Sequence, residues 1–229
     1  MLFFCSMNRS LGIFALCIDR HLGKVDKSTL AQQSLMEILI SGFTDCKYKI
    51  CGYEDTPTDI LNWRGITLNE TDDVVGIHWA GRLDSYFRLY GTIDLNALPL
   101  TVQAMDVSRN SLDGSIDLTG LPKVLKYLYL HQNAFAGSAC LTSLPEAMVS
   151  LNLSENYFSG HIDVTQLPKG IRELRLNRTS LDGDTDLSQL PESLRVFNVE
   201  NTNLFGKVEV RQGKEFSVEN SQVKIYWIE

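Results

Sequence analysis

The dipeptide Leu-Pro recurs at residues 98, 121, 144, 167 and 190, a spacing of 23 each time. Cutting the chain there aligns LPLTVQAMDVSRNSLDGSIDLTG, LPKVLKYLYLHQNAFAGSACLTS, LPEAMVSLNLSENYFSGHIDVTQ, LPKGIRELRLNRTSLDGDTDLSQ and LPESLRVFNVENTNLFGKVEVRQ on one pattern, LPxxLxxLxLxxNxLxGxIDLxx. A unit this short cannot bury its own apolar face, so the copies must stack on one another. In LKYLYLHQN, Leu128 and Leu130 alternate with Tyr127, Tyr129 and His131, the period of a strand with one face buried. Strands stacked at about 4.8 Å give a parallel sheet over a continuous core. Its second inward ladder reads Val107, Leu130, Leu153, Leu176 and Val199.

Past each strand, Asn110, Asn133 and Asn156 fall where the chain must turn, and a buried amide there can satisfy turn backbone that no ladder reaches. Thr179 and Thr202 take that place in the last two repeats; a hydroxyl offers fewer bonds, so the turn is expected to loosen toward the C-terminus. The period of two returns at Ile116/Leu118, Ile162/Val164 and Val208/Val210, which predicts a second short strand facing the core.

The pattern LxxLxLxxNxL resembles the leucine-rich repeat family, and the added LxGxI resembles its plant-type subclass and protist relatives, closely over 98–212 and more loosely over 58–229. The resemblance implies an α/β-type solenoid. A curved parallel sheet would line the concave face, with short strands and turns on the convex side and a helical cap at the N-terminus. The chain then divides into an N-terminal segment with a capping helix (1–57), a cap with a degenerate first repeat (58–97), five repeats (98–212) and a shortened repeat with a C-terminal cap (213–229).

Both ends carry capping signals. YGTIDLNALP is a half repeat, VVGIHW offers Ile77 and Trp79 as paired strand positions, and AGRLDSYFR reads as an insertion between them. LNWRGITL resembles the plant-type cap motif C-x-W-x-G-V-x-C, with Leu61 and Leu68 where that family carries cysteine. Two apolar residues in place of a disulfide suit a reducing compartment, so an intracellular protein is expected. The alternative, a secreted or surface protein, follows from LGIFALCI after Arg9, which resembles the apolar region of a signal peptide. Trp63 is expected to plug the core. STLAQQSLMEILISGF reads as an amphipathic helix with Ser28 as N-cap, Gly42 as C-cap, and Ala31, Leu35, Ile38, Leu39 and Phe43 on one face. At the other end, EFSVENSQV repeats the strand-and-turn pattern only 19 residues after RVFNVENTN, and KIYWIE is expected to cover the exposed edge.

The sequence carries few chemistry-bearing motifs. With 21 Lys and Arg against 28 Asp and Glu the net charge is −7, the wrong sign for gripping a phosphate backbone, so a nucleic-acid partner is not expected. No apolar run reaches the ~18 residues that span a bilayer. The four histidines are scattered, Cys46 and Cys51 form a lone pair, and phosphate-binding, nucleophile-elbow and zinc-protease motifs are absent from the sequence. Neither catalysis nor a cofactor or metal is expected. Asp94, Asp117, Asp163, Asp186 and Glu209 share one repeat position, interrupted by Cys140; they are read as turn-forming carboxylates, with a calcium ladder as the other reading. Glycosylation tripeptides begin at Asn8, Asn69, Asn152 and Asn177.

Outward residues of the stacked strands need not be apolar for folding, so they are available for recognition. Three columns result: Asp106, Tyr129, Asn152, Arg175 and Asn198; Ser108, His131, Ser154, Asn177 and Glu200; and Arg109, Gln132, Glu155, Arg178 and Asn201. Tyrosine and arginine dominate binding hot spots. The candidate site is therefore Tyr127, Tyr129 and His131 with Arg172, Arg175 and Arg178, joined by Asn152 and Asp106. The expected function is a non-catalytic module gripping a protein partner through the concave face. The alternative is a structural subunit held in a larger assembly by its edges, helix and tail.

Overall fold

The computed structural model describes residues 27, 30–44, 46–53, 56–81 and 88–228. The repeats stack into a solenoid with two sheets. The concave sheet has eight strands: β1 (Ile66–Leu68), β2 (Val74–His78), β4 (Ala104–Asp106), β6 (Tyr127–Tyr129), β8 (Ser150–Asn152), β10 (Glu173–Arg175), β12 (Val196–Asn198) and β14 (Glu215–Ser217), in that order. From β2 onward neighbours are parallel. The convex sheet has seven: β3 (Tyr90–Gly91), β5 (Ser111–Gly114), β7 (Ala134–Gly137), β9 (Tyr157–Gly160), β11 (Ser180–Asp184), β13 (Asn203–Arg211) and β15 (Gln222–Ile228). Between the sheets the leucine ladders are fully buried: Leu128, Leu151 and Leu174 in one, Val107, Leu130, Leu153, Leu176 and Val199 in the next. Each such side chain contributes about 1.5–3 kcal/mol by leaving water. Phe135 and Phe158 stack in the same core with ring centroids 6.4 Å apart.

The asparagines do more than close their own turns. Asn133 Nδ2 donates to Leu130 O (3.0 Å) and also to Val107 O of the preceding repeat (2.9 Å), while its Oδ1 accepts the Leu112 amide (3.0 Å). Asn156 repeats the arrangement on Leu153 O, Leu130 O and Phe135 N. Thr179 and Thr202 each donate only within their own repeat, to Leu176 O and Val199 O, both at 2.7 Å. The side-chain stitch to the preceding repeat is thus lost in the last two turns.

The convex strands lie elsewhere than the alternation implies. In the first four convex strands that follow a full concave strand, pairing falls on the residues just after the turn, such as Ser111–Gly114 and Ala134–Gly137, and ends at or near the glycine. Ile116, Leu118, Ile162 and Val164 are buried as expected but stand outside the ladders. Their period of two records alternate burial around the Asp turn between them, not strand pairing. Only in β13 does the strand continue through Val208 and Val210.

At the N-terminal end, helix α1 (Gln32–Leu39) lays Leu35, Met36 and Leu39 on the core, followed by Ile40 and Phe43. Phe43 meets Trp79 edge to face at 6.2 Å. The helix is shorter than the sequence implies. Ala31 holds the N-cap position with no side-chain bond, Ile40 the C-cap, and Ser28 lies outside the described residues. Gly42 serves another purpose: a Cβ there would sit 2.1 Å from Thr92 Oγ1, so its bareness lets the cap approach the convex strand. Trp63 is buried and donates from Nε1 to Thr58 O (2.8 Å), the expected core plug. Leu61, in contrast, is 50% exposed. The pair at 61 and 68 is therefore not a buried apolar replacement for a disulfide, and the compartment argument built on it loses its basis. Cys46 and Cys51 are buried thiols; Cys51 Sγ donates to Lys47 O (3.1 Å), and burial pushes its pKa up. The N-terminal apolar stretch, Asn8 and most of the predicted insertion lie outside the described residues.

The C-terminal end differs from expectation in one respect. The shortened repeat is real, since β14 pairs with β12 at an offset of 19 residues. The KIYWIE ending does not cover the edge. As part of β15, residues 224–228 pair in parallel with β13 and become the edge themselves, with Tyr226, Trp227 and Ile228 exposed. A strand that alternates Val223 and Ile225 inward extends a sheet more readily than it folds across one.

Candidate functional site

Strand register sets the concave surface. His78, Asp106, Tyr129, Asn152, Arg175, Asn198 and Ser217 form one row across seven strands. Four of the candidate residues, Asp106, Tyr129, Asn152 and Arg175, thus sit side by side at about 4.8 Å intervals. Tyr127 belongs to the adjoining row with Ser150 and Glu173 and is 39% exposed. Arg172 and Arg178 are not in this cluster. They flank β10 on opposite rims with Arg175 between them, at most about 20 Å apart, since the chain has turned at Arg178.

Several of these side chains already have work to do. Asp106 Oδ1 accepts the Ser108 amide (2.9 Å), and Asn152 Oδ1 accepts the amide and hydroxyl of Ser154 (3.1 and 2.6 Å). Both carboxylate and amide thereby hold the turn that follows. Arg175 is locked onto Glu173, which also accepts from Ser150 Oγ (2.9 Å). Glu173 escaped the sequence reading, although its outward parity, two residues before Arg175, was the available signal. Ser108 and Ser154, expected to face outward, are buried instead, because the strand has already begun to curl into the turn there.

His131 stands edge-on to Tyr129, ring centroids 6.5 Å apart, with Nδ1 buried and without a hydrogen-bond partner. Burial pushes its pKa below the usual 6.5; Asp106 and Glu155 pull it up, and Arg109 and Arg175 push it down further. The folded state therefore resists protonation more than the unfolded chain does. The stability this contributes is full above about pH 6.5 and is lost as pH falls through the folded-state value. Between pH 7.5 and 5.0 the urea midpoint of the wild type should fall more than that of His131→Gln. Equal shifts in the two proteins would show that this imidazole does not set the acid limb.

Along one rim, Arg109, Gln132, Glu155 and Arg178 each adopt a left-handed backbone, with φ between 54 and 58°. Their side chains join in a ladder: Arg109 Nε to Gln132 Oε1 (3.1 Å), Gln132 Nε2 to Glu155 Oε2 (3.2 Å), and Arg178 to Glu155 (3.7 Å). On the convex side the aspartate column is a set of turn caps. Asp94, Asp117, Asp163 and Asp186 accept the amides of Asn96, Thr119, Thr165 and Ser188 at 2.8–3.0 Å. Hydrogen bonds from the side chains of Thr165 and Ser188, and after them from their amides, hold the carboxyls of Asp163 and Asp186 below the ordinary range. Among the described residues no group of three His, Cys, Asp or Glu is placed to hold a metal ion, and no helix is long and apolar enough to cross a membrane.

No protein-family model matches the chain, and no curated protein matches it. Solved structures do. A Pollen Receptor Kinase 3 structure superposes with a TM-score of 0.68 at 23% identity, over 83% of this chain and 94% of that one. The leucine-rich repeat ectodomain of the receptor kinase SOBIR1 from Arabidopsis thaliana gives 0.46 at 15% identity, over 85% and 95%. The leucine-rich repeat ectodomain of the Arabidopsis receptor kinase HAESA, in complex with an N-terminally extended IDA peptide hormone ligand, gives 0.49 at 18% identity, over 85% of this chain and 41% of that one. The first of these likenesses speaks for the fold. Together with the 23-residue pattern, the leucine ladders and the asparagine stitches, it shows that this chain has the leucine-rich repeat fold.

Proposed function

We propose that the chain is a non-catalytic protein-interaction module that grips its partner through the concave sheet. The observation that carries this reading is the row Asp106–Tyr129–Asn152–Arg175 with Tyr127 beside it. Core packing dictates the inward residues of these strands and leaves the outward ones free, yet two tyrosines and an oriented arginine occupy them. Rigid aromatics on a pre-formed sheet lose little entropy on binding, and Tyr and Arg supply most of the energy at interfaces. Eight strands at about 4.8 Å give a face about 35 Å wide, room for one interface of standard size.

Affinity capture from the native source, read by quantitative mass spectrometry, tests it. The double variant Tyr127→Ala/Tyr129→Ala should lose its partner by about tenfold or more. Tyr157→Ala, at a convex position 67% exposed, should keep it. Retention by the double variant would favour the structural-subunit reading, in which edges and cap make the contacts.

A secreted or cell-surface setting is the second reading. The exposure of Asn69, which begins an Asn-Glu-Thr tripeptide at the β1–β2 hairpin, favours it, and the exposure of Leu61 removes the argument for an intracellular one. Intact mass with thiol labelling of the native protein decides between them. A trimmed or glycan-bearing chain supports secretion, and a full-length chain with all thiols reactive after unfolding supports the intracellular setting.

A further inference from the structure

One rim of the concave sheet is basic in a chain of net charge −7. Lys126, Val149, Arg172 and Arg195 immediately precede β6, β8, β10 and β12, and the backbone joins them as a ladder. Val149 N donates to Lys126 O (2.8 Å), Arg172 N to Val149 O (2.8 Å) and Arg195 N to Arg172 O (2.9 Å). The three cations are exposed. Lys126 Nζ donates to a neutral acceptor, Gln103 Oε1 (3.1 Å). Among the described residues no carboxylate pairs with Lys126, Arg172 or Arg195. Two other arginines on this face are matched: Arg175 is on Glu173, and Arg178 pairs with Glu155 on the opposite rim. Arg172 and Arg195 stand on neighbouring strands and Lys126 two strands from Arg172; unmatched like charges this close repel one another, and folding gains nothing from them.

We infer that this rail receives an extended acidic segment of a partner protein, crossing the strands along the solenoid axis; the inference rests on the concave-face reading above. From Lys126 to Arg195 is three strand steps, about 14 Å. An extended segment rises about 3.3 Å per residue, so carboxylates on three alternate residues span about 13 Å; the outer two meet Lys126 and Arg195, and the middle one falls about 3 Å short of Arg172, within reach of its long side chain. Exposed Tyr127 and half-buried Val149 lie alongside to take the stems of those side chains. A nucleic acid fits less well, since the rail is three cations long and the rest of the chain is acidic. Such charge pairing sets encounter rate and register, and it weakens with salt.

Fluorescence anisotropy on the full chain tests this with three labelled probes: a nonapeptide with Glu at three alternate positions, the same peptide with Gln, and a ten-residue oligo-dT. The Glu peptide should bind about tenfold more tightly than the Gln peptide at low salt. Lys126→Glu/Arg172→Glu/Arg195→Glu should abolish that difference, while Lys207→Glu/Lys224→Glu on the convex face should leave it intact. Thermal melts of both variants check that each is folded. Equal binding of Glu and Gln peptides, indifference to the rim variant, or oligo-dT binding as tightly as the Glu peptide would overturn the inference. If Tyr127→Ala/Tyr129→Ala releases the native partner and the rim variant does not, the rail falls and the concave-face reading stands. If neither releases it, the concave-face reading falls as well.

Discussion

Asn156→Ala lowers stability by about 3 kcal/mol, the larger part of it from buried backbone left without a partner. Asn156 is 5% exposed, and its amide reaches Leu153 O and Ser154 O in its own turn and Leu130 O in the preceding repeat, while Oδ1 accepts the Phe135 amide. Leu130 O and Ser154 O keep other donors, Asn133 Nδ2 and the Gln132 amide. Leu153 O and Phe135 N–H lose their bond to this side chain, at about 1–3 kcal/mol per orphaned group. In a chain of this size the melting temperature should drop by about 6–12 °C. Thr179→Ala removes a single bond to Leu176 O and should cost about 1 kcal/mol. Urea denaturation of the two variants checks the ratio. Similar losses in both would mean that the turn, not the stitch between repeats, is what the asparagine supports.

Gly91→Ala should be costlier still, about 3–4 kcal/mol, because two effects coincide. Gly91 has φ +93°, a region an L side chain rarely enters, and an added Cβ would lie 2.1 Å from Gly42 O. That contact is where the cap docks: Thr92 N donates to Gly42 O and Thr44 N to Tyr90 O, both at 3.0 Å. Forcing the strands apart there exposes Ile40 and Phe43. Gly160→Ala is the matched control, with φ +82° and nothing within 4 Å of the added carbon. It should cost only the backbone term, about 1–2 kcal/mol. Hydrogen exchange adds a local readout: the Thr44 and Thr92 amides should lose protection in Gly91→Ala and keep it in Gly160→Ala.

What the sequence disclosed follows from what repeats. The 23-residue period identifies the inward ladders, the turn asparagines and the 19-residue last step, because burial imposes the same residue type at each copy. Outward positions carry no such constraint, so their alignment into rows could be read, but not their partners: the pairing of Arg175 with Glu173 and the inward turn of Ser108 depend on side-chain placement. Of the rail only Arg172 was legible as a candidate, for a related reason. Lys126 and Arg195 precede the alternating stretch and look like loop residues until the backbone ladder places them in line with Arg172. The cap was harder. Its motif residues occur once each, and whether Leu61 is buried or exposed is decided by the tilt of a three-residue turn, Ile60–Asn62, that no periodicity records.

The most direct test of the concave-face account is photo-crosslinking in the native source. A benzophenone side chain would be introduced in turn at Tyr129, in the concave row, and at Tyr157, exposed on the convex sheet. The account predicts a discrete protein adduct from position 129 and none from 157. Adducts from 157 alone would contradict it and move the interface to the opposite side of the solenoid.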